Sequence, residues 1–166
     1  MREWLSGRAS PCQGERREFE SRLPLQNPHT FVCGFFLFPE KIYYAICCGC
    51  PEKKEGFINI PIKRKEFSGI LRVTACDGKD ALTEYYVEKQ KDDLSLIKLI
   101  PHTGRTHQLR VHMSHIGHPI YGDGLYGNEV SESSATLLHC RQLSFIHPTT
   151  GSEIELTAPF PDDMIF

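Results

Sequence analysis

One feature constrains the fold of this chain more than any other: a single segment has the period of a helix, and it stands among short segments with the composition of strands. Leu109, Met113 and Ile116 recur at positions i, i+4 and i+7, which places them on one helix face. Thr106 precedes them as the predicted N-cap, and Gly117 is placed to end the helix. The sequence therefore predicts one short helix among strands and turns.

Six segments from Glu40 onward are predicted strands, because they are rich in β-branched and aromatic residues and are bounded by turn residues. KDD (91–93) and TTG (149–151) are predicted hairpin turns, whereas Pro61 weakens the segment that contains it. Together they predict a β-rich α+β fold, with a mostly antiparallel mixed sheet and few helices. The predicted strands are KIYYAI (41–46), GFINIPI (56–62), LTEYYVEKQ (82–90), LSLIKLIP (94–101), RQLSFIHP (141–148) and SEIELTAP (152–159).

Composition narrows the class of protein. The 166 residues suffice for one domain with a real core, and 19 basic against 21 acidic residues give no overall charge that would indicate nucleic acid or a membrane. The longest apolar run, Phe31 to Phe38, is far shorter than the ~20 residues that span a bilayer. Seven cysteines without a paired spacing indicate reduced thiols, so we expect a cytoplasmic protein.

The first 26 residues differ from the rest, because they are basic and have no sustained period. One interpretation is a disordered basic tail. Another comes from the codons: Trp4 to Gly7 fits TGG CTC AGT GGT, a D-arm, and Glu18 to Ser21 fits GAG TTC GAA TCT, a T-loop, so the segment resembles a glycine transfer RNA gene read through as protein. We predict a non-native disordered tail at 1–26, an unassigned join at 27–39 and a folded part at 40–164.

The segment HTGRTHQLRVHMSHIGHPIYGDGLYG (102–127) contains five histidines. A zinc site is one interpretation, but His107 and His112 are five positions apart, and the nearest carboxylate is Asp123. Gly104 and Arg105 are more informative, because they lie between a predicted strand and the helix. A guanidinium beside a helix N-terminus favours an anion. The residues alone therefore predict an anion or carboxylate site at a strand–helix junction.

Three segments carry a more specific resemblance. PHTGRTHQLRVHMSHIGHPIYGDGLYG (101–127) resembles the signature of the RluA-type pseudouridine synthases. EKIYYAICCGCPE (40–52) resembles the KxYxAxxxGxP segment of that family, and LLHCRQLSFIHPTTGSEIELTAPFPDDM (137–164) resembles its LHAxxLxFxHPxTG stretch. The resemblance covers about Glu40 to Met164, and it implies a pseudouridine synthase-like fold, incomplete at the N-terminal side, with 40–164 as the C-terminal portion of the catalytic domain.

The resemblance implies an isomerase that converts uridine to pseudouridine in structured RNA (rRNA or tRNA) without a cofactor or metal. The target base is flipped into a pocket, and an aspartate attacks the nucleoside. Residue by residue, Tyr43 matches the active-site tyrosine, which stacks on the base and is placed for proton abstraction. Arg105 matches the arginine that pairs with the aspartate, and Leu138 matches an apolar residue of the base pocket. His107, Gln108 and Arg110 match the motif, and we expect them to be structural or RNA-facing.

The sequence departs from the family pattern at the nucleophile, because no HRLDxxTSG-type motif occurs in it and Asp123 matches a loop position. We therefore expect a truncated chain without covalent catalysis. Arg105 would also lose the partner of a buried charge pair, which costs ~3–5 kcal/mol. The expectation is an inactive and poorly folded chain when it is expressed alone.

Two other function classes remain open from the sequence. A non-catalytic RNA-binding remnant would use the same cleft, and KKEGFINIPIKRK (53–65) could contact phosphates. A metal-dependent hydrolase would use the histidines. No signal for an oligomer or a membrane partner is present, and we expect a monomer.

Overall fold

Antiparallel pairing dominates this protein. The computed structural model describes residues 39–127 and 135–165, and every strand pairing within them is antiparallel. Six strands form one sheet in the order β2-β5-β6-β1-β7-β8, and β3 and β4 form a separate pair. The elements are β1 (Glu40–Cys48), β2 (Glu55–Asn59), β3 (Ile62–Arg64), β4 (Arg72–Thr74), β5 (Leu82–Lys91), β6 (Leu94–Pro101), α1 (Gln108–His115), β7 (Leu138–Ile146), β8 (Glu153–Thr157) and a 3-10 turn (Asp162–Met164).

Central strand β1 is covered on both faces, which explains its nearly continuous apolar sequence. Ala45 and Cys47 belong to the core on the helix side, together with Met113 of α1. Ile46 belongs to the core on the opposite side, together with Met164 of the 3-10 turn. The single helix therefore covers one face of the sheet, and the C-terminal residues cover part of the other.

The structure confirms the predicted helix and corrects its start. Thr106 is not the N-cap: α1 begins after His107, which has a left-handed backbone (φ 58°) and no side-chain cap. Gly117 ends the helix as predicted, with φ 87°. The N–H groups of Gly117 and His118 donate to the carbonyls of Ser114 and Met113, which is a Schellman motif.

The predicted strands are present, with one correction. Residues 56–62 do not form a single strand, because β2 ends at Asn59 and β3 begins at Ile62 in another sheet. Pro61 lies between them, and its carbonyl accepts a hydrogen bond from Ala75 N–H. A proline cannot donate to a ladder, so the chain changes sheets at this point. β-Rich α+β architecture with few helices is confirmed.

Two other expectations concern residues that the structure does not describe. The predicted tail at 1–26 and nearly all of the predicted join at 27–39 lie outside the described residues.

Within 39–127 and 135–165, no helix has the length and apolar character needed to cross a membrane.

Candidate active site

A cleft of about 540 Å³ lies where the end of β6, the N-terminus of α1 and the strands β1 and β7 meet. The turn 102–107 forms its rim, because it connects β6 to α1. All six residues singled out from the sequence line this cleft, although they come from three separate parts of the chain. They are Tyr43, Arg105, His107, Gln108, Arg110 and Leu138.

Gln108 holds the rim of the cleft in place. Its side chain is buried, and its Oε1 accepts hydrogen bonds from Thr103 Oγ1 (2.7 Å) and from the main-chain N–H of Arg105 (3.0 Å). Its Nε2 donates to the carbonyl of Leu82 (2.9 Å) and to Thr83 Oγ1 (3.0 Å) on β5. One amide side chain therefore fastens the turn to the neighbouring strand, so the contacts of Gln108 are those of a structural residue.

Arg105 is exposed at the rim, which corrects one expectation. Its Nε donates to the main-chain carbonyl of Asp80 (2.9 Å). Within the described part of the chain, no carboxylate forms an ion pair with it. Since an exposed guanidinium keeps its hydration, the expected loss of ~3–5 kcal/mol for an unpartnered buried charge does not apply. Arg105 is free to hold an anion that enters the cleft.

Tyr43 and Leu138 face the cleft from adjacent strands. Tyr43 is paired with Leu99 of β6 and Cys140 of β7, and Leu138 pairs with Ala45 two residues further along β1. Alternation places Tyr43 and Leu138 on the same face of the sheet. Burial raises the pKa of the Tyr43 hydroxyl, and the nearby Cys140 thiol raises it further. The tyrosine therefore remains protonated and neutral near pH 7.

His107 connects the start of α1 to Tyr126 through its ring nitrogen. Tyr126 Oη accepts a hydrogen bond from the main-chain N–H of Arg72 (2.9 Å) and lies 2.8 Å from His107 Nδ1. Tyr126 Oη and His107 Nδ1 share one hydrogen bond, whose direction depends on the tautomer of the imidazole. Burial lowers the pKa of His107, as do the charges of Arg110 and Arg72. This chain of hydrogen bonds connects β4 to the start of α1.

Arg110 forms a two-pronged ion pair with Asp123. Nε is 2.8 Å from Oδ2 and Nη2 is 2.5 Å from Oδ1, and the Asp123 side chain is fully buried. Burial by itself would raise the pKa of Asp123, but hydrogen bonds from Arg110 and from the main chain of Leu125 and Tyr126 outweigh it, so the pKa lies below its usual value. The sequence places Asp123 in a loop and does not identify Arg110 as its partner, because no local spacing links the two.

Three other histidines of the segment 102–127 have separate contacts. His112 is completely buried, with Nδ1 2.9 Å from Thr83 Oγ1 and Nε2 3.0 Å from the Ile60 carbonyl. Nε2 therefore carries the proton, and burial lowers the pKa of His112. His115 is exposed beside Thr74, and His102 Nε2 lies 3.1 Å from Glu84 at the rim of the cleft. His112 therefore belongs to the scaffold of the cleft, whereas His102 and His115 lie at the surface.

Two further observations concern metals and thiols. No group of three or more His, Cys, Asp and Glu residues in the described ranges is arranged to hold a metal ion. Cys47, Cys50, Cys76 and Cys140 are free thiols.

Comparisons with known proteins agree on one family. The profile of the family described as RNA pseudouridylate synthase matches residues 36–115. An uncharacterized RNA pseudouridine synthase of Bacillus subtilis (strain 168), YjbO, is 44% identical over 122 residues, which are 74% of this chain and 43% of the relative. The dual-specificity RNA pseudouridine synthase RluA of Vibrio cholerae is 42% identical over 112 residues, covering 65% of this chain and 45% of the relative.

A solved structure is also similar. The human RNA pseudouridylate synthase domain-containing 1 protein superimposes with a TM-score of 0.65 and 33% identity, over 74% of this chain and 55% of that structure. The fold is therefore pseudouridine synthase-like, and the sequence matches support the same family. The chain spans less than half the length of the two curated relatives.

Proposed function

We propose that this chain is of the RluA type of RNA pseudouridine synthase, that its cleft binds the target uracil, and that it lacks the aspartate that attacks the nucleoside. One observation carries the proposal: Tyr43, Arg105 and Leu138, far apart in the sequence, line a single cleft. A volume of about 540 Å³ lies within the ~300–1,000 Å³ typical of small-molecule pockets. The cleft is therefore large enough for one flipped nucleotide.

The three residues supply complementary contacts. The Tyr43 ring offers a face on which a base can stack, and Leu138 offers an apolar wall beside it. Arg105 offers a planar cation for a phosphate or a carboxylate. The raised pKa of the Tyr43 hydroxyl keeps that group protonated. We therefore propose that the main role of Tyr43 is to stack on the base, and that proton abstraction is secondary.

In the proposed reaction, an aspartate attacks the nucleoside and the carbon–nitrogen glycosidic bond breaks. The detached uracil rotates, and its ring carbon forms a carbon–carbon bond to the sugar, which releases the aspartate. The ring carbon loses a proton and the former glycosidic nitrogen gains one, so the product is an isomer of uridine and needs no cofactor. The cleft has to hold the free uracil in place between the two steps.

The proposed reaction needs a carboxylate that can attack the nucleoside, and no residue described in the cleft supplies one. No HRLDxxTSG motif occurs in the 166 residues, and no carboxylate lines the described part of the cleft. Asp123 is occupied by Arg110, and Asp80 meets Arg105 through its main-chain oxygen. We therefore propose that the chain by itself binds the target uridine without isomerising it.

Binding to two matched RNA hairpins tests the proposed function. One hairpin carries a single loop uridine, and the other has an abasic site there. We expect the uridine hairpin to bind more tightly by about fivefold or more, since base stacking on an aromatic side chain contributes ~1–3 kcal/mol. Tyr43→Ala should abolish the difference, whereas Tyr121→Ala, a tyrosine outside the cleft lining, should keep it. Equal affinity for both hairpins would contradict a uracil site.

Turnover is measured separately, with RNA whose uridine carries tritium on the carbon that forms the new bond. We expect no release of tritium above background from the purified chain. Release that disappears in Arg105→Gln would establish catalysis and would refute the proposed absence of a nucleophile.

We further propose that the substrate is rRNA or tRNA and that the protein acts in the cytoplasm as a monomer.

A further inference from the structure

A second pocket, of about 500 Å³, adjoins the cleft on the other side of the turn 104–106. Its walls come from β3, from β4 and from the segment 77–79. Gly104 and Arg105 line both cavities. The two cavities are therefore neighbours separated by one short turn, and Arg105 belongs to both.

The second pocket is strongly cationic. Five cationic residues line it and only one acidic residue does. Asp77 pairs with Lys63 at 2.8 Å, which leaves the charges of Arg64, Arg72, Lys79 and Arg105 uncompensated by any carboxylate of the lining. This concentration of charge occurs in a chain whose formal net charge is −2, so it is local to this surface and attracts polyanions.

The walls of the pocket are firmly built. Ile62 and Lys79 exchange two main-chain hydrogen bonds of 2.9 Å each, which attach the segment 77–79 to β3. A Cβ at Gly78 would lie 2.7 Å from the Ile62 carbonyl carbon, so only glycine allows this approach. The Arg72 guanidinium donates to the carbonyls of Ile70 and Leu71 at the base of the β3–β4 hairpin. The cations are therefore carried on a defined scaffold.

The tip of the same hairpin presents an aromatic ring to solvent. Phe67 is fully exposed and has a left-handed backbone (φ 59°). Ser68 secures the tip, because its N–H donates to Lys65 and its hydroxyl accepts from Leu71 N–H. An exposed aromatic side chain beside cationic residues is the combination that binds single-stranded nucleic acid, through base stacking and phosphate contacts.

We propose that this basic pocket and the β3–β4 hairpin form a second RNA-contact surface, which holds the sugar-phosphate backbone and one unpaired base next to the nucleotide in the cleft. The identification of the polymer as RNA rests on the proposed function. Because Arg105 lines both cavities, a strand that places one base in the cleft brings an adjacent phosphate to the pocket. Arg64 and Lys79 bind that backbone, and Phe67 stacks on a base further along the strand.

A double variant, Arg64→Gln with Lys79→Gln, tests the phosphate interactions in the full chain. Both side chains are exposed, and they make no hydrogen bond or ion pair with other described residues, so their replacement leaves the fold intact. Binding of the uridine hairpin and of the abasic hairpin should weaken several-fold. The slope of the logarithm of affinity against the logarithm of salt concentration should fall by about 0.7–1 for each phosphate that is no longer neutralised.

Lys89→Gln with Lys91→Gln is the matched control, because both lysines are exposed at the far end of the β5–β6 hairpin. This control removes the same charge and should leave the salt slope unchanged. Equal effects of the two double variants would overturn the proposal, since they would show a response to net charge alone. If the Arg64 and Lys79 double variant still prefers the uridine hairpin but its salt slope is unchanged, the second RNA-contact surface is refuted and the proposed function stands. If its salt slope falls but the unmodified protein does not prefer the uridine hairpin, the proposed function is refuted and the second surface stands.

Phe67 is tested by shape rather than by charge. Phe67→Leu keeps an apolar side chain but removes the stacking ring, so binding of both hairpins should weaken about fivefold or more. Phe67→Tyr keeps the ring and should bind like the unmodified protein. Similar affinities for the leucine and tyrosine variants would refute stacking at this position. Each melting temperature should stay unchanged, because the side chain is exposed.

Discussion

At the scale of single residues, the cleft depends on a side chain that takes no part in chemistry. The amide oxygen of Gln108 accepts hydrogen bonds from Thr103 and Arg105 of the turn, and its amide nitrogen donates to Leu82 and Thr83 of β5. The position of Arg105 follows from this, because its main-chain N–H is one of those partners. Its side chain is then directed by the Asp80 carbonyl.

Replacing Gln108 with leucine should lower the free energy of unfolding by about 2–3 kcal/mol. The reason is that the Thr103 hydroxyl and the Arg105 N–H would lose their acceptor, and each unsatisfied group costs ~1–3 kcal/mol. Urea denaturation measures the change. Gln142→Leu is the control, since its hydrogen bond to Glu155 is exposed, and it should change stability by less than about 0.5 kcal/mol. Equal losses in both variants would refute a special role for Gln108.

The sequence identifies the cleft residues but not what holds them. Tyr43, Arg105 and Leu138 are found through a motif resemblance, because motifs are read locally. The Arg110–Asp123 pair and the Gln108–Thr83 contact join distant segments, and one sequence carries no signal of such distances. Thr106 is predicted as the N-cap because threonine favours that position, whereas the turn places His107 there with φ 58°.

At the scale of elements, the loop after α1 is held to the helix by charge. Asp123 accepts from Arg110 of α1 and from the main chain of Leu125 and Tyr126. Gly127 approaches closely, since a Cβ there would lie 2.5 Å from the Asp123 carbonyl oxygen. Arg110 also lies over the Tyr126 ring, 5.1 Å from its centroid. The loop and the helix therefore form one structural unit beside the cleft.

Asp123→Ala should destabilise the protein by about 3–5 kcal/mol, because it leaves Arg110, which is mostly buried, without its partner. The folded-state pKa of Asp123 is lowered, so its contribution is present at neutral pH and is lost as the pH falls below about 3.8–3.9. Thermal unfolding at neutral and acid pH measures both effects. Asp77→Ala removes an exposed partner of Lys63 and should cost at most about 1 kcal/mol; a comparable loss would contradict the assignment.

At the scale of the whole molecule, the order of the sheet could not be predicted although its strands could. β6 is predicted at 94–101 and is found at Leu94–Pro101, because its alternation and flanking turns are local. β7 begins at Leu138, before the predicted Arg141, because residues 138–140 pair with β1. β4 is not predicted because three residues are too few for a recognisable period. Placement of β1 between β6 and β7 depends on pairings across the entire chain.

The strand order predicts how the sheet opens. Amide hydrogens of β1 and β6 should exchange with solvent most slowly, since both strands are paired on both sides and contain the fully buried Ala45, Ile97 and Leu99. Amides of the edge strands β2 and β8 should exchange orders of magnitude faster. Hydrogen exchange followed by mass spectrometry or NMR measures this order. Protection of β8 equal to that of β6 would contradict the edge position assigned to it.

The pairing of β1 with β7 has a consequence for how this chain can change. Ile42 is opposite Gln142, yet Tyr43 is opposite Cys140, so β7 has one extra residue, Arg141, at this point. The bulge absorbs Arg141, so the pairs on either side of it keep their facing; a deletion between Leu138 and Cys140 would instead move Leu138 opposite Tyr44 and onto the other face of the sheet. The cleft can therefore accept many substitutions along β7, but hardly any change in the number of residues. We expect insertions and deletions to be selected against on this surface more strictly than changes of side chain.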